Sequence, residues 1–380
     1  MLAERGHQVA WLTTSPCDTA TELGQPLFAL PGFWEANRLK RQFRNVEGLI
    51  YSRGARTLTE QAVETFRPDV AHIHTIRFTL SPSILPVLKK HGVPVVQTLH
   101  DYRLICPVNS FLSGFQVCEA CKGKRYYNCA RRRCARGRSL VKSAVFSLSA
   151  YVADYLYRYD NLITAYIAPG AFLRRKMIEY GYAPAKITTV HNAYFGHADS
   201  PRDLPRTHIL YVGRLAHEKG IDLLVRAAAG LEVPVVIAGD GPERARLESL
   251  ADEVGARNVR FVGFQPQEVI ADLYSRALVA ILPSRWYENG PLVILEAYAQ
   301  ATPVVGADIG AIPEFVEEGQ TGLLFRANDA DDLRAVLQRC LADREKLAQM
   351  GQKARQRVIT TYSPEQYVQS LESILESVLA

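Results

Sequence analysis

Two glutamates with seven residues between them, Glu288 and Glu296, bracket a segment that opens Asn289-Gly290-Pro291-Leu292. A carboxylate can accept two hydroxyl hydrogen bonds, so such a pair suits a polyhydroxylated ligand. With helical backbone between them, eight steps of about 1.5 Å put them roughly 12 Å apart. That span fits two ends of one extended ligand better than a carboxylate pair sharing one bond, which sits about 5–5.5 Å apart. Amides around Gly290–Leu292 would face outward at a helix start, where phosphate binds. Upstream, Gly213-Arg214 and Lys219-Gly220 follow an apolar run, and two cations there suit a diphosphate. His100 and Asp101 end another apolar run. Taken singly, each residue has a plainer reading: solvated charge for Glu296, Glu288, Arg214 and Lys219, a structural imidazole for His100.

A second cluster is made of sulfur. Cys118-Glu119-Ala120-Cys121 is followed by Cys129 and Cys134, with Cys106 upstream. Four thiolates this close suit structural Zn2+ or an iron–sulfur cluster, although the second pair is not CxxC. Free thiols, a redox pair or a nucleic-acid-binding knuckle are the competing readings, with Tyr126 and Tyr127 able to stack on bases. Asp329-Ala330-Asp331 has the form of a metal-binding DxD but falls where a helix begins, and reads as a cap. Gly239-Asp240-Gly241 lacks the third glycine of a dinucleotide fingerprint, since position 244 is Arg. His72 and His74 share a strand face without an apparent third ligand.

Positioning these groups takes alternating strands and helices. In the second half, strands are predicted over 208–213, 233–238, 258–263, 278–282 and 303–306. Helices are predicted over 220–229, 242–254, 291–300 and 312–318. Regular alternation means parallel strands covered on both faces. In the first half, strands are predicted over 8–13, 69–74, 93–99 and 162–168. Helices are predicted over 47–66, 142–159 (long and amphipathic) and 172–181. The joint falls near 188–203. Such a domain normally opens with a central strand and a glycine-rich turn. The chain instead opens on what reads as the last turn of a helix, with Gly6 as its C-cap. The expectation is that the central strand and glycine loop are missing, with the native start upstream.

The chain has 380 residues, 48% hydrophobic and 22% charged, which excludes collagen, coiled coil and wholesale disorder. No apolar run is long enough to span a bilayer, and the first residues lack a secretory pattern. The expected setting is cytoplasmic and reducing, which disfavours a disulfide framework for the seven cysteines. The net charge of +6 divides unevenly, with +13 on residues 1–190 and −7 on 191–380. Between Lys122 and Lys142 stand nine Lys/Arg and no acid. That run implies an anionic partner: a membrane surface or a phosphate-bearing acceptor, with nucleic acid disfavoured.

The motifs together resemble glycosyltransferase family 4. They are Gly213-Arg214, Lys219-Gly220, Gly239-x-Gly241-Pro242, Leu282-Pro283-Ser284, Glu288-x7-Glu296-Ala297, Gly306, Gly310, Pro313-Glu314 and Gly322 to Phe325. The resemblance covers roughly 186–362, and more loosely the first half through His72, His74, His100-Asp101 and 167–173. A basic, Cys-rich insert over about 106–138 resembles that of a subgroup. The resemblance implies an α/β GT-B fold: two Rossmann-like, doubly wound domains facing a cleft. An acceptor-side domain over 1–187 and a donor-binding domain over 188–362 would be followed by a helix over 363–380 crossing back. It implies a retaining transferase moving a hexose from a nucleotide diphosphate sugar to a polysaccharide, lipid-linked or small-molecule acceptor. No catalytic metal is expected; Cys118, Cys121, Cys129 and Cys134 would hold a structural Zn. By residue, Glu288 meets the sugar hydroxyls, Glu296 the ribose, and Arg214 and Lys219, beside Gly213, the diphosphate. The 289–292 loop (Asn289, Gly290, Pro291, Leu292) meets phosphate and sugar, and His100 faces the sugar across the cleft. The expected location is the cytoplasm, with peripheral contact at the inner membrane face as an option. The alternative is a catalytically impaired sugar-nucleotide-fold binding protein whose basic Cys module contacts a partner or nucleic acid.

Overall fold

The computed structural model describes residues 1–14, 20, 22–30, 51–76, 80–196 and 204–379. In the first half the elements run β1 (Trp11–Thr13), β2 (Leu27–Ala29), α1 (Arg53–Phe66), β3 (Ala71–Ile73), α2 (Leu85–Lys90) and β4 (Val95–Thr98). A short hairpin follows, β5 (Leu112–Ser113) and β6 (Gln116–Val117), then α3 (Tyr127–Arg131) and α4 (Leu140–Tyr151). The half closes with β7 (Ala165–Ala168), α5 (Ala171–Glu179) and β8 (Ile187–Thr189). Its parallel sheet has the order β3-β4-β7-β8, while β1 pairs in parallel with β2 in a separate two-stranded sheet. Among the described residues no strand joins the two. Every residue of β4 is buried, so its valines read as a continuous apolar run without alternation.

The opening residues form a 3-10 turn, Ala3–Arg5, capped by Gly6 in the left-handed region at φ 93°. Helix α1 is shorter than the predicted 47–66. Ser52 caps it by accepting the Ala55 amide at 3.2 Å, which fixes its start, and 47–50 lie outside the described residues. The helix predicted over 142–159 also differs. Its α-helical part stops at Tyr151 and continues as a π-turn over Val152–Leu156. Its buried residues are Ser143, Ser147 and Ser149, and Phe146, Ala150 and Tyr151 pack beside them, so its inward face mixes hydroxyls with apolar groups.

The second half runs β9 (His208–Val212), α6 (Ile221–Ala228), β10 (Val235–Ala238), α7 (Arg244–Glu253), β11 (Val259–Gly263), α8 (Gln267–Ser275) and β12 (Ala277–Leu282). It continues through α9 (Leu292–Ala299), β13 (Val304–Ala307), α10 (Ile312–Phe315), β14 (Gly322–Phe325), α11 (Ala330–Ala342) and α12 (Arg344–Thr360). The six strands are all parallel, in the order β11-β10-β9-β12-β13-β14. Strand order reverses between β9 and β12. Right-handed crossovers from that point send helices to opposite faces. Helices accordingly pack in two groups, α6 with α7 and α11, and α9 with α8 and α12. Each shields one side of β12, whose six residues are all buried. At Gly239, after β10, a Cβ would overlap the Gly213 carbonyl oxygen, so two strand-end turns pack backbone to backbone.

A last helix, α13 (Pro364–Ser377), starts at Ser363, whose Oγ accepts the Gln366 amide at 3.3 Å, with Pro364 at the first position. It leaves the second half and buries Leu371 and Ile374 against Val96, Ile167 and Val190 of the first sheet. Glu372 on this helix binds Arg5 at 2.8 Å and His7 at 2.9 Å. The Arg5 guanidinium, then His7, hold its carboxyl below the usual range. Among the described residues no helix is long and apolar enough to cross a membrane.

Candidate active site

The reversal between β9 and β12 opens a crevice at the carboxyl ends of the strands, where ligands bind in such sheets. The turn after β9 carries Gly213 and Arg214. A 3-10 turn, His217–Lys219, then leads into Gly220 and α6. From β12 come Ser284, Trp286 and Glu288. Glu288 is buried, and one oxygen, Oε1, takes three donors: Lys219 Nζ at 2.7 Å, Ser284 Oγ at 2.6 Å and Trp286 Nε1 at 2.8 Å. The Lys219 ammonium also lies 5.1 Å from the Trp286 ring centre. Arg214 is exposed and pairs with Glu218 one turn on. Arg285 is gripped by Asp222 through two bonds of 2.6 and 2.7 Å, which fixes the loop to α6.

Asn289, Gly290, Pro291 and Leu292 lead from Glu288 into α9, with Pro291 at its N-cap. This loop meets the first sheet. Asn289 Nδ2 donates to the Leu99 carbonyl at 3.0 Å, beside His100. Tyr102 Oη donates to the Glu288 carbonyl at 3.0 Å, and Asn192 Nδ2 to the Gly290 carbonyl at 3.1 Å. Pro291 is buried and Leu292 exposed. Glu296, one helical turn into α9, is half-buried near the Tyr274 hydroxyl, and burial raises its carboxyl above the usual range. Glu288 and Glu296 therefore occupy different environments: the first is locked into a network, the second held by burial and one hydroxyl.

His100 follows β4 and hydrogen-bonds His74 at 2.9 Å, Nε2 to Nδ1, with the rings stacked at 5.2 Å. His72 bonds Thr98 Oγ1 at 2.8 Å. Burial lowers all three imidazoles, and His72 falls to about 4. Neutral imidazole offers one donor and one acceptor, so the His74–His100 bond forms without a charge. A cavity opens beside His100, bordered by Gln97, Asp101, Arg103, Asp154 and Tyr159. Its far wall is helix α4, through Ser149 and Ala150.

Sequence reasoning assigned no role to Ser284, Trp286 and Glu314, which the fold brings here. Ser284 and Trp286 hold Glu288. Both oxygens of the buried Glu314 carboxylate, and Asn289 Oδ1, lack hydrogen-bond partners, although Arg175 Nη2 stands 3.3 Å from Glu314 Oε1. Orphaned buried acceptors are costly, and at a cleft they mark where donors from a ligand belong. The signal for Glu314 was present, since Pro313-Glu314 stood among the motifs.

The insert reaches the same cleft. Glu119 Oε1 accepts from Tyr287 Oη at 2.8 Å and pairs with Lys176 at 2.9 Å. Phe115 packs on His217 with ring centres 3.9 Å apart. The zinc reading of its cysteines does not match their arrangement. Among the described residues no group of three or more His, Cys, Asp or Glu is placed to hold a metal ion. Cys121 and Cys129 are buried with Tyr126, while Cys118 and Cys134 hydrogen-bond through their sulfurs. Burial pushes Cys121 up to about 12 and Cys106 to about 11, so both are neutral thiols at pH 7. Asp329 of the DxD accepts the Asp331 and Asp332 amides at 3.1 and 2.9 Å, which is an N-cap on α11.

Two parallel sheets meeting edge to cleft, the second carrying its polar groups at the strand reversal, define the GT-B class of glycosyltransferases. Residues 1–194 match the family described as Glycosyltransferase Family 4, and residues 196–357 match Glycosyl transferases group 1. The chain belongs to glycosyltransferase family 4. It is 35% identical over 164 residues to the alpha-D-kanosaminyltransferase of Streptomyces kanamyceticus, spanning 42% of each chain. A glycosyltransferase from Rickettsia africae superposes with a TM-score of 0.71 at 15% identity, covering 100% of this chain and 92% of that one. Anabaena HepE in complex with UDP-glucose superposes with a TM-score of 0.64 at 17% identity, covering 95% and 88%. At these identities the two structures speak to the fold alone.

Proposed function

We propose that the protein transfers a hexose from a nucleotide diphosphate sugar to a glycan, lipid-linked or small-molecule acceptor, with retention of anomeric configuration. The observation that carries this reading is the Lys219–Glu288–Ser284 network at the strand reversal. It stands beside the buried Asn289 Oδ1 and Glu314 carboxylate, which lack hydrogen-bond donors, Arg175 being an ion-pair partner of Glu314 at 3.3 Å. The network presents a cation and hydroxyl-accepting oxygens at the start of α9, the combination a sugar diphosphate requires. The Anabaena neighbour, which shares the fold, was solved in complex with UDP-glucose.

In this reading Arg214 and Lys219 hold the diphosphate, while the 289–292 amides meet phosphate and sugar. Glu288 and Glu314 accept sugar hydroxyls, Glu296 accepts ribose hydroxyls, and His100 faces the sugar from the first sheet. The bond from the anomeric carbon to the phosphate oxygen breaks, and its electron pair leaves on the phosphate. The acceptor oxygen bonds the anomeric carbon on the same face and its proton passes to the departing phosphate. Positive groups aimed at the leaving oxygen stabilise the charge developing there.

Thermal denaturation with UDP, GDP and ADP, and with their sugars, tests the site. A ligand bound only by the folded state raises Tm. One nucleotide should stabilise the protein, and Glu296→Ala should abolish that shift. If no nucleotide moves Tm, the donor reading fails. A shift with no transfer to any glycan or lipid acceptor favours a binding protein.

A further inference from the structure

Helix α4 is apolar on two sides: Phe146, Ala150 and Tyr151 pack against the buried cluster of the insert, and a second set faces solvent. Its buried side chains are serines. They face inward because they serve the insert beneath: Ser147 Oγ donates to the Tyr126 carbonyl at 2.8 Å, and Ser143 Oγ accepts the Ala135 amide at 2.9 Å. Its solvent side carries Val141, 73% exposed, and Leu148, with Leu156, 74% exposed, and Tyr155 on the following turn. The steps 141, 148 and 155 are two helical turns each, so these residues form one stripe. Leu140 and Tyr127 extend it, both exposed. Lys124 Nζ stands 5.8 Å from the Tyr155 ring centre, while Val141, Leu148 and Leu156 stay open to solvent. Apolar surface of this kind marks an interaction site.

The charge around the stripe says what covers it. All nine Lys/Arg between Lys122 and Lys142 are exposed. Among the described residues only Lys122 and Lys124 of these make ion pairs, with Glu179 and Asp154. Helix α3, carrying Arg131 and continuing to Arg132 and Arg133, packs directly on α4. Lys142 stands beside Val141 within α4. An apolar stripe with tyrosines, beside a run of nine exposed cations of which seven make no ion pair among the described residues, matches the interface of an anionic bilayer, Asp154 of the π-turn being taken up by Lys124 and Tyr126.

We propose that α4, its π-turn and the 122–142 basic run form a docking face for an anionic lipid membrane. The opposite side of α4, through Ser149 and Ala150, walls the cavity beside His100. Docking therefore brings that cavity to the lipid headgroups. If the transferase reading holds, its acceptor is presented from the membrane; the docking face stands without that reading.

Flotation of the full chain with vesicles tests it. The protein should float with mixed phosphatidylglycerol–phosphatidylcholine vesicles, remain behind with phosphatidylcholine alone, and lose binding as salt rises. Replacing Val141, Leu148 and Leu156 together by Ser should cut partitioning at least about tenfold, from the lost apolar burial. Arg131→Gln, Arg132→Gln and Arg133→Gln together should cut it by about a hundredfold, from about fivefold per charge. All six positions are solvent-facing, and an unchanged thermal melt confirms folding. Absence of flotation with anionic vesicles overturns the proposal. So does equal binding to neutral vesicles, wild-type binding by both triple variants, or a concentration-dependent dimer that the apolar triple abolishes. Because vesicle binding and nucleotide-induced Tm shifts are separate readouts, failure of one leaves the other intact.

Discussion

The two halves are written in the same alternation of strand and helix but built to different tolerances. In the second, six parallel strands share one sheet, and a single core joins residues from Ile209 to Tyr362. In the first, four strands form one sheet and β1 with β2 another, and the groups that finish the packing are aromatic. Tyr102, Phe111, Phe172 and Tyr287 stack edge-on across the junction, with ring centres 4.8 to 6.5 Å apart. One half therefore fixes the ligand-holding turns by backbone contact. The other holds its site with side chains that can repack, and aromatic pairs of this kind contribute about 0.5–1.5 kcal/mol each.

The contrast breaks first at glycine. Gly239→Ala would drive a methyl into the Gly213 carbonyl at φ 140° and should cost the second half about 4 kcal/mol or more, read by chemical denaturation. Gly92→Ala in the first half, at φ 72° with open space around it, should cost about 1 kcal/mol. Similar losses at both sites would erase the distinction.

Next comes the network. Glu288→Ala leaves the partly buried Lys219 and Ser284 without their acceptor. Transfer should fall about a hundredfold or more, and stability by about 2 kcal/mol. A variant with full activity in a steady-state assay would remove Glu288 from the site.

Acid should act through the first half. His72 titrates near 4 when folded and near 6.5 when unfolded, so the unfolded chain takes up the proton first. Its contribution is complete above about pH 6.5 and is lost as pH falls toward 4. Between pH 6.5 and 5 the decline should approach about 2 kcal/mol, and His72→Gln should flatten it in urea melts. The smallest effect is the cap: Asp329→Ala should cost about 1 kcal/mol and leave nucleotide-induced Tm shifts unchanged.

What could be read beforehand follows the same divide. Strands such as 208–213 and 278–282 were legible because a doubly covered parallel strand is a continuous apolar run closed by glycine or proline. Asp329 was legible as a cap because its partners lie two and three residues away. Helix α4 was legible in place but not in sense. Its amphipathic pattern gives no sign of which face points in, and serine is buried there only because the insert offers carbonyls and amides to bond. The Glu288 network escaped because Lys219 is 69 residues away in sequence and either cation could have been its partner. The cysteines were legible as neighbours but not in role: Cys134 hydrogen-bonds both Cys118 and Cys129, yet among the described residues no group of three or more is placed to hold a metal ion.

The chain passes between its halves twice, once after β8 and again before α13, and the two passages touch. The Tyr194 amide donates to the Tyr362 carbonyl at 2.9 Å. Two covalent crossings laid side by side act as a door hinge: they suppress sliding and twisting and leave rotation about one axis. The Asn289 bond to Leu99 and the Tyr287 bond to Glu119 lie away from that axis and act as its latch. The expected opening is a rotation about one axis, and distances measured between two label pairs, one label on each half, should then change together; independent changes would rule the hinge out.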